Sequence, residues 1–204
     1  MTLLIDRRAL LACGLTLVAG PALAQAETGL VRVAMNTGKG VITLDLNVGK
    51  APITARNFLR YVDLRRYDGA SIFRASRVAG APQTGVIEGG ITGDASKVLR
   101  PIAHESTIKT GLTHKDGTIS MANRGAGTAT SDFFICVGDQ PSFDADPAAP
   151  TTQIGFAAFG QVVDGMDVVR AILASPTSQT ARVAAMRGEM LSPPVPIRSV
   201  RRVG

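Results

Sequence analysis

The chain has 204 residues, of which 45% are hydrophobic and 19% are charged, so it can bury the core of one domain or at most two. Its formal charge of +6 brings a nucleic-acid or membrane-surface partner into consideration. The basic residues are scattered among 16 acidic ones, with no block of about five or six like charges, so we expect no nucleic-acid partner. A mildly basic secreted domain is the interpretation we favour.

The N-terminal segment has the pattern of an export signal. Arg7 and Arg8 precede an apolar run over residues 9–24, and the small residues Ala22 and Ala24 form an A-x-A cleavage pattern. The run is shorter than the roughly 20 residues that a membrane-spanning helix needs, and no later segment comes closer to that length. The paired arginines also match part of a twin-arginine export signal.

Cleavage after Ala24 is our first expectation, and cleavage after Ala26 is the second. We therefore predict a signal peptide at 1–24, a short leader at 25–29 and one folded domain at 30–204. Such a chain is periplasmic or secreted, without stable insertion in a membrane once the signal is removed. Nothing in the sequence indicates an oligomer interface, and we expect a monomer.

Strand and helix patterns begin directly after the leader. Residues 30–35 and 40–46 alternate between apolar and polar positions around a glycine-containing turn, which predicts a β-hairpin. Pro52 opens a segment in which apolar residues recur at helical spacing, which predicts a helix to about Arg66. Gly69 follows as a candidate left-handed residue that ends this helix.

The remainder of the chain has the pattern of short strands with one further helix. That helix is predicted from about Met166 to Ala174, and a final strand is predicted over 194–203. Many short strands with only two helices favour a barrel or a sandwich over a βαβ array. The loop over 91–117 is long for a compact domain, which indicates a segment that frames a site. The other predicted strands are 71–78, 85–88, 118–122, 133–138 and 156–163.

Chemistry-bearing residues are few in the predicted mature chain. Its remaining cysteine, Cys136, lies in an apolar run that predicts a buried thiol. His104 and His114 are isolated in the sequence, so we expect no metal site and no cofactor. A hydrolase built on Ser120 or Ser131 with one of these histidines is disfavoured, because neither serine lies in a nucleophile-elbow motif.

Five short sequence strings stand out in the predicted domain, and each of them alone is a weak signal. They are Tyr67-Asp68-Gly69 with Phe73-Arg74, Ile87-Glu88-Gly89-Gly90, Gly117-Thr118-Ile119-Ser120-Met121-Ala122-Asn123, Ser131-Asp132-Phe133-Phe134-Ile135, and Phe159-Gly160-Gln161-Val162-Val163-Asp164-Gly165-Met166. In this order and spacing the strings resemble the cyclophilin family of peptidyl-prolyl cis-trans isomerases, over about residues 30–203. A secreted bacterial subset of that family is the most similar.

The resemblance implies an all-β-dominated fold, an eight-stranded antiparallel cyclophilin-like barrel capped by two helices. It also implies a groove for proline-containing polypeptides on the outer face of the barrel and isomerisation of X-Pro bonds. The family's catalytic arginine falls on Arg74. Arg77 is a rival, because Arg77-Val78 echoes the same family string. Without the surrounding strings, Arg74 would be interpreted as a solvated strand residue.

The resemblance further implies a set of substrate-binding residues along the groove. Phe134 aligns with a pocket phenylalanine, and Ala122 with Asn123 aligns with a groove segment whose backbone binds the substrate. Ordinary core packing is the alternative for Phe134, Val86 and Phe143. The full set is Phe73, Val86, Glu88, Ala122, Asn123, Asp132, Phe134, Phe143 and Phe156.

Several of these positions depart from the family pattern. Glu88 and Asp132 replace glutamines, Gly85 replaces a pocket phenylalanine, Phe156 replaces a histidine and Ser142 replaces a tryptophan. We expect the two acids to pair with the catalytic arginine, which would orient it and also compete for its donors. The sequence thus predicts a slow isomerase that assists the folding of exported proteins. The alternatives are a proline-peptide-binding chaperone with weak or no turnover, and a structural or adhesion module.

Overall fold

The computed structural model describes residues 29–204. The predicted signal peptide at 1–24 lies outside the described residues, as does the predicted leader up to residue 28. Within the described part of the chain, no helix has the length and apolar character needed to cross a membrane.

Residues 29–204 contain nine β-strands, and eight of them close into an antiparallel barrel. The strands are β1 (Val31–Thr37), β2 (Gly40–Leu46), β3 (Ser71–Val78), β4 (Ala81–Gly90), β5 (Thr118–Met121), β6 (Phe133–Val137), β7 (Ala157–Asp164), β8 (Thr177–Ser178) and β9 (Met190–Arg202). Their order around the barrel is β1-β2-β7-β5-β6-β4-β3-β9, and β9 pairs again with β1 to close it. The short β8 pairs with β9 beyond this ring. The predicted eight-stranded antiparallel barrel is therefore confirmed.

Three helices accompany the barrel in the described residues: α1 (Pro52–Asp63), α2 (Thr107–Thr110) and α3 (Met166–Leu173). The two predicted helices correspond to α1 and α3. Helix α2 is a single turn inside the long loop over 91–117, and a segment of that length is too short to show a helical period in the sequence.

Strand alternation separates the interior of the barrel from its outer surface. Ala75 on β3, Ile87 on β4, Ile135 on β6 and Ile119 on β5 lie opposite one another along neighbouring strands. All four side chains are buried. Because successive side chains on a strand point to opposite faces, the residues on either side of this row face away from the barrel core.

An aromatic cluster joins α1 to the interior of the barrel. The ring of Phe58 on α1 lies 4.9 Å from that of Tyr67, 5.6 Å from that of Phe133 and 5.4 Å from that of Phe159. The hydroxyl of Tyr67 donates to the carbonyl of Ser131 at 2.8 Å, so its one polar group is satisfied in the core. These contacts place Phe133 inside the barrel, which leaves the next residue along β6 facing outward.

The start of α1 is stabilised from the long loop over 91–117. Glu105 is 1% exposed, and its carboxylate accepts hydrogen bonds from the backbone N–H and the hydroxyl of Thr54, both at 2.7 Å. A carboxylate at this position satisfies a free N–H group and interacts favourably with the positive end of the helix dipole. The loop is therefore anchored to the first turn of α1.

Helix α1 ends at Asp63, earlier than the sequence predicts. The following turn is a Schellman motif, in which the N–H of Arg66 donates to the carbonyl of Tyr61 at 2.8 Å and the N–H of Arg65 donates to that of Val62 at 3.0 Å. Arg65 takes the left-handed position with φ of 54°. The sequence predicts a later helix end because Gly69 is the first glycine after the helix, whereas the left-handed position is occupied by Arg65.

Strands β4 and β9 are both longer than predicted. Strand β4 begins at Ala81, before the predicted start at 85, and β9 begins at Met190, before the predicted start at 194. The residues added to β9 include Pro193, and a proline argues against a strand because it donates no ladder hydrogen bond. The strand nevertheless continues beside β3, where Pro196 pairs with Ser71.

Candidate active site

A cavity of about 720 Å³ lies on the outer surface of the barrel, where β3, β4 and β6 run side by side. All of the predicted site residues except Phe73 line it. Phe73 lies where the register shifts between Ile72 and Arg74, and it is not a lining residue. The cavity is lined by Arg74, Ser76, Val86, Glu88, Ala122, Asn123, Arg124, Thr128, Thr130, Asp132, Phe134, Phe143, Phe156 and Met186.

Strand register brings the central residues of the cavity into one row. Arg74 on β3 lies opposite Glu88 on β4, Glu88 lies opposite Phe134 on β6, and Phe134 lies opposite Ser120 on β5. This row alternates with the buried row of Ala75 and the three isoleucines described above, so its side chains project from the outer face of the sheet. The barrel therefore assembles the site from strands that are distant in the sequence.

The rival arginine, Arg77, has a different role. Its Nε donates to the carbonyl of Leu173 at 2.8 Å, and its Nη2 donates to the carbonyl of Ser175 at 2.6 Å. Both carbonyls lie at the C-terminal end of α3, where a cation satisfies unpaired acceptors and the negative end of the helix dipole. Arg77 does not line the cavity, so of the two arginines only Arg74 does.

Two carboxylates hold the guanidinium of Arg74. Its Nη1 donates to Glu88 Oε2 at 2.7 Å, and its Nε donates to Glu189 Oε2 at 2.7 Å. The same oxygen of Glu189 lies 2.7 Å from Nη2. Burial opposes the charge on Arg74, but the hydrogen bonds that it donates to the two glutamates, together with their negative charges, outweigh burial and raise the pKa of the guanidinium. The side chain stays charged and is a quarter exposed at the cavity.

The second carboxylate that holds Arg74 is not the one that the sequence indicates. Asp132 also lines the cavity, but its carboxylate accepts a hydrogen bond from the hydroxyl of Ser131 at 2.9 Å. Burial raises the pKa of Asp132 above its usual value. The expectation that Asp132 pairs with Arg74 was wrong, because Glu189, the residue that precedes β9, reaches Arg74 from the other side of β3. The sequence alone assigns Glu189 no role.

Three phenylalanines form an apolar pocket in the same cavity as Arg74. The rings of Phe134, Phe143 and Phe156 pack edge to face, with centroids 5.4 Å, 5.2 Å and 5.3 Å apart. Val86 and Phe134 belong to a small buried cluster that is separate from the barrel core. The alternative of ordinary core packing therefore does not describe these residues, because they pack outside the barrel and line a cavity.

A buried hydrogen-bonded relay lies beneath this pocket. The ring of His114 stacks on Phe134 with centroids 5.8 Å apart, its Nδ1 lies 2.6 Å from Asp144 Oδ1, and its Nε2 lies 2.9 Å from Ser120 Oγ. Since a carboxylate can only accept, we assign the ring proton to Nδ1, which makes Nε2 the acceptor from Ser120. Ser120 is fully buried, so its hydroxyl supports the pocket and is closed to a substrate.

The thiol of Cys136 is fully buried behind the same pocket. Burial, with a smaller contribution from nearby carboxylates, raises the pKa of this thiol to about 12. At neutral pH the group stays protonated and acts as a small hydrophobic residue. The prediction of a buried cysteine is confirmed.

Ala122 and Asn123 lie on the polar side of the cavity, directly after β5. The N–H of Ala122 donates to the carbonyl of Asp132 at 2.9 Å, which extends the strand pairing past the end of β5. The side chain of Asn123 accepts from the N–H of Gly125 at 3.0 Å and turns the chain at this edge.

Sequence reasoning missed five of the residues that line the cavity. Arg124, Thr128 and Thr130 follow Asn123 closely, so extending the groove segment would have found them. Nothing in the local sequence marks Ser76 or Met186, which reach the cavity only through the fold. Within residues 29–204, no group of three or more His, Cys, Asp or Glu side chains is arranged to hold a metal ion.

A closed antiparallel barrel with a charged arginine and an apolar pocket in one cavity on its outer face is the arrangement that the resemblance to the prolyl isomerases of the cyclophilin family implies. The sequence profile described as "Cyclophilin type peptidyl-prolyl cis-trans isomerase/CLD" matches residues 31–201. The chain therefore belongs to the cyclophilin family of peptidyl-prolyl cis-trans isomerases.

Individual relatives agree with this assignment. The chain is 35% identical over 147 residues to a peptidyl-prolyl cis-trans isomerase of Acinetobacter baylyi, covering 72% of this chain and 73% of that protein. It is 34% identical over 177 residues to one of Streptomyces antibioticus, covering 84% and 98%. A cyclophilin of Cryptosporidium parvum, crystallised in the presence of the dipeptide Ala-Pro, shares the fold with a TM-score of 0.65 at 17% identity, covering 85% of this chain and 99% of that one.

The relay beneath the pocket predicts a pH dependence of stability. Burial lowers the pKa of His114, although the hydrogen bond with Asp144 opposes this. The unfolded chain therefore binds this proton more readily, and the free energy of unfolding falls as the pH drops below about 6.5. For one proton the slope is at most about 1.4 kcal/mol per pH unit. Urea unfolding at several pH values below neutrality measures this change in the free energy of unfolding.

The matched control for this prediction is His114→Gln, which keeps a polar side chain and removes the titrating ring. The difference in free energy of unfolding between the two proteins should narrow as the pH falls. The raised pKa of Asp132 makes the free energy of unfolding increase at lower pH, opposite to the effect of His114. Asp132 is present in both proteins, so its contribution cancels in the difference between them. A difference that is independent of pH would contradict the role of His114.

Proposed function

We propose that this chain isomerises X-Pro bonds in exported proteins and thereby assists their folding, with Arg74 as the catalytic residue. The observation that carries the proposal is the charged guanidinium of Arg74 in the wall of a cavity that also holds a pocket of three phenylalanines. The Ala-Pro dipeptide present with the Cryptosporidium parvum cyclophilin supports a proline-containing peptide as the occupant of this cavity.

The chemistry of the reaction explains why an arginine is suited to it. Rotation about a peptide bond is opposed by about 18–20 kcal/mol, because the bond has partial double-bond character. Uncatalysed X-Pro isomerisation therefore takes roughly tens to hundreds of seconds. Twisting the bond removes the resonance and makes the prolyl nitrogen pyramidal and more basic. A guanidinium that donates to this nitrogen stabilises the twisted state more than the planar one, which is the condition for catalysis.

The geometry of Arg74 suits this role. Each of its two Nη nitrogens carries two N–H groups and contacts one carboxylate oxygen, so one N–H on each remains for a substrate. The apolar pocket formed by Phe134, Phe143 and Phe156 would hold the proline ring, since such rings gain free energy by leaving water. A ring held there would share the cavity with the guanidinium, with Glu88 between Phe134 and Arg74 in the row of residues described above.

The two carboxylates that bind Arg74 also favour an alternative function, a proline-peptide-binding chaperone with weak turnover. Glu88 and Glu189 both accept charge-assisted hydrogen bonds from Arg74, and these are stronger than bonds between neutral groups. A donor engaged in this way is less available to the weakly basic prolyl nitrogen. Peptide binding without acceleration of exchange is the result that would favour the chaperone.

Substitution of Arg74 tests the catalytic role. In Arg74→Ala we expect kcat/KM on an Ala-Pro peptide, measured by exchange NMR, to fall by about 100- to 1,000-fold, the usual effect of removing a donor that acts in the transition state. Arg74→Lys should also lose most activity, because lysine keeps the charge and loses the planar fork.

The control for this prediction is Arg32→Ala. Arg32 is likewise a strand arginine held by a carboxylate, at 2.7 Å from Asp45, but it does not line the cavity. Its substitution should leave kcat/KM within about twofold of wild type. Retention of activity in Arg74→Ala would refute the proposed catalytic residue.

Substitution of Glu88 tests the competition for donors. Glu88→Gln keeps an acceptor for Nη1 and removes the negative charge, which weakens the hydrogen bond by about 1 kcal/mol. We expect kcat/KM on a neutral Ala-Pro peptide to rise by about fivefold, because about 1.4 kcal/mol corresponds to a factor of ten. An unchanged or lower kcat/KM would show that the charge of Glu88 assists the reaction.

The exported location rests on the N-terminal pattern and has its own test. Expressed in a Gram-negative host with its natural N-terminus, the protein should appear in the periplasm, and its intact mass should correspond to removal of residues 1–24. Leu15→Arg places a charge in the apolar run and should retain the full-length chain in the cytoplasm. A full-length wild-type chain in the cytoplasm would contradict the proposed location.

A further inference from the structure

The segment between α3 and β9 returns to the catalytic cavity. Within it, β8 pairs with the start of β9, and a 3₁₀ turn over Ala184–Met186 brings Met186 into the cavity wall. The backbone of Glu189 is held at both ends: its N–H donates to the carbonyl of Met186 at 3.1 Å, and its carbonyl accepts from the N–H of Ala75 at 2.8 Å. Glu189 is therefore fixed directly beside β3.

The side chain of Glu189 bridges two residues on the outer face of β3. Its Oε2 contacts Nε and Nη2 of Arg74, both at 2.7 Å, and its Oε1 accepts from the hydroxyl of Ser76 at 2.9 Å. Arg74 and Ser76 are two positions apart on the strand, so both side chains leave the same face. Both carboxylate oxygens are thus engaged, and the carboxylate is held from two sides.

The contact through Nε differs in kind from the contact with Glu88. Glu88 bonds to Nη1 at the tip of the guanidinium, and a single contact at the tip leaves the plane free to pivot about it. Glu189 engages the side edge formed by Nε and Nη2, which restrains the orientation of the plane. The two Nη nitrogens then present their remaining N–H groups in a defined direction.

We propose that Glu189 is a positioning residue of the isomerase, which orients the guanidinium plane of Arg74 toward the prolyl nitrogen. The inference rests on the proposed catalytic role of Arg74 and deepens it. A long arginine side chain has many rotamers, and holding it ready for the reaction lowers the entropy that is lost in the transition state. Ser76 supports the orientation by fixing the other oxygen of the carboxylate.

Truncation of Glu189 is the direct test. Strand pairing should survive it, because the hydrogen bond between the Ala75 N–H and the Glu189 carbonyl involves only backbone atoms. For Glu189→Ala we expect kcat on an Ala-Pro peptide to fall by about 10- to 100-fold, with KM within about twofold of wild type, since a misplaced catalytic group costs rate and leaves ground-state binding intact. Exchange NMR at several peptide concentrations separates the two constants.

The conservative variant distinguishes orientation from charge. In Glu189→Gln the amide oxygen still accepts from Nε, and the amide nitrogen donates to the hydroxyl of Ser76. We expect this variant to recover kcat to within about threefold of wild type. Ser76→Ala, which removes the support of the carboxylate, should give an intermediate kcat, and it provides the test should Glu189→Ala fail to unfold cooperatively.

The Nε–H resonance of Arg74 provides a readout that is independent of activity. It is identified by its disappearance in Arg74→Lys. We expect a slowly exchanging signal in wild type and in Glu189→Gln, and a fast-exchanging or missing one in Glu189→Ala. Asp45→Ala, which removes a carboxylate from a strand arginine outside the cavity, should leave both this signal and kcat unchanged.

The outcomes separate this inference from the proposed catalytic role. An unchanged kcat in Glu189→Ala, or a rise in KM with kcat unchanged, would overturn the positioning role. An unchanged Nε–H signal in that variant would overturn it as well. If Arg74→Ala keeps its activity while the Nε–H signal still depends on Glu189, the catalytic proposal fails and the orientation of Arg74 stands as a structural finding.

Discussion

The register of β3, β4, β6 and β5 is the constraint on which the site depends. Each strand alternates between the barrel core and the outer face, so a buried row of aliphatic residues alternates with the row that runs from Arg74 through Glu88 and Phe134 to Ser120. The closed barrel holds this register, because a slip by one residue would expose the core row and bury the charged one. The core and the cavity wall are thus two faces of the same strands.

The two carboxylates at the cavity that bind Arg74 have opposing effects on it: they orient its guanidinium, and they also reduce the number of its N–H donors that are available to a substrate. The two glutamates keep the guanidinium of Arg74 charged although the side chain is largely buried, and they hold it against the outer face of β3. Each bond that orients the group also engages one of its donors. Phe134 belongs to an apolar pocket that is supported from below by His114, and it also lies opposite Glu88, so one strand residue joins the apolar and the charged parts of the cavity.

Much of the fold could be predicted from local patterns. Period-two alternation and glycine-containing turns located the eight barrel strands, and helical spacing located α1 and α3. The failures have local causes: the turn after α1 uses Arg65 where a glycine is usual, the missed start of β9 contains Pro193, and α2 is a single turn. In each case the surrounding structure stabilises a conformation that the local residues do not favour.

The sequence by itself determined the family, the strand pattern and the identity of Arg74 and the pocket phenylalanines as candidates, because these are properties of short strings in a fixed order. The tertiary structure decided which of Arg74 and Arg77 lines the cavity, since Arg77 is bound to carbonyls at the end of α3. It also decided which acids hold Arg74. Glu189 is 115 residues away from Arg74 along the chain and lies outside the five strings, whereas Asp132 lies inside one of them. Hydrogen bonds depend on distance in space, and only the pairing of β3 with β9 sets that distance.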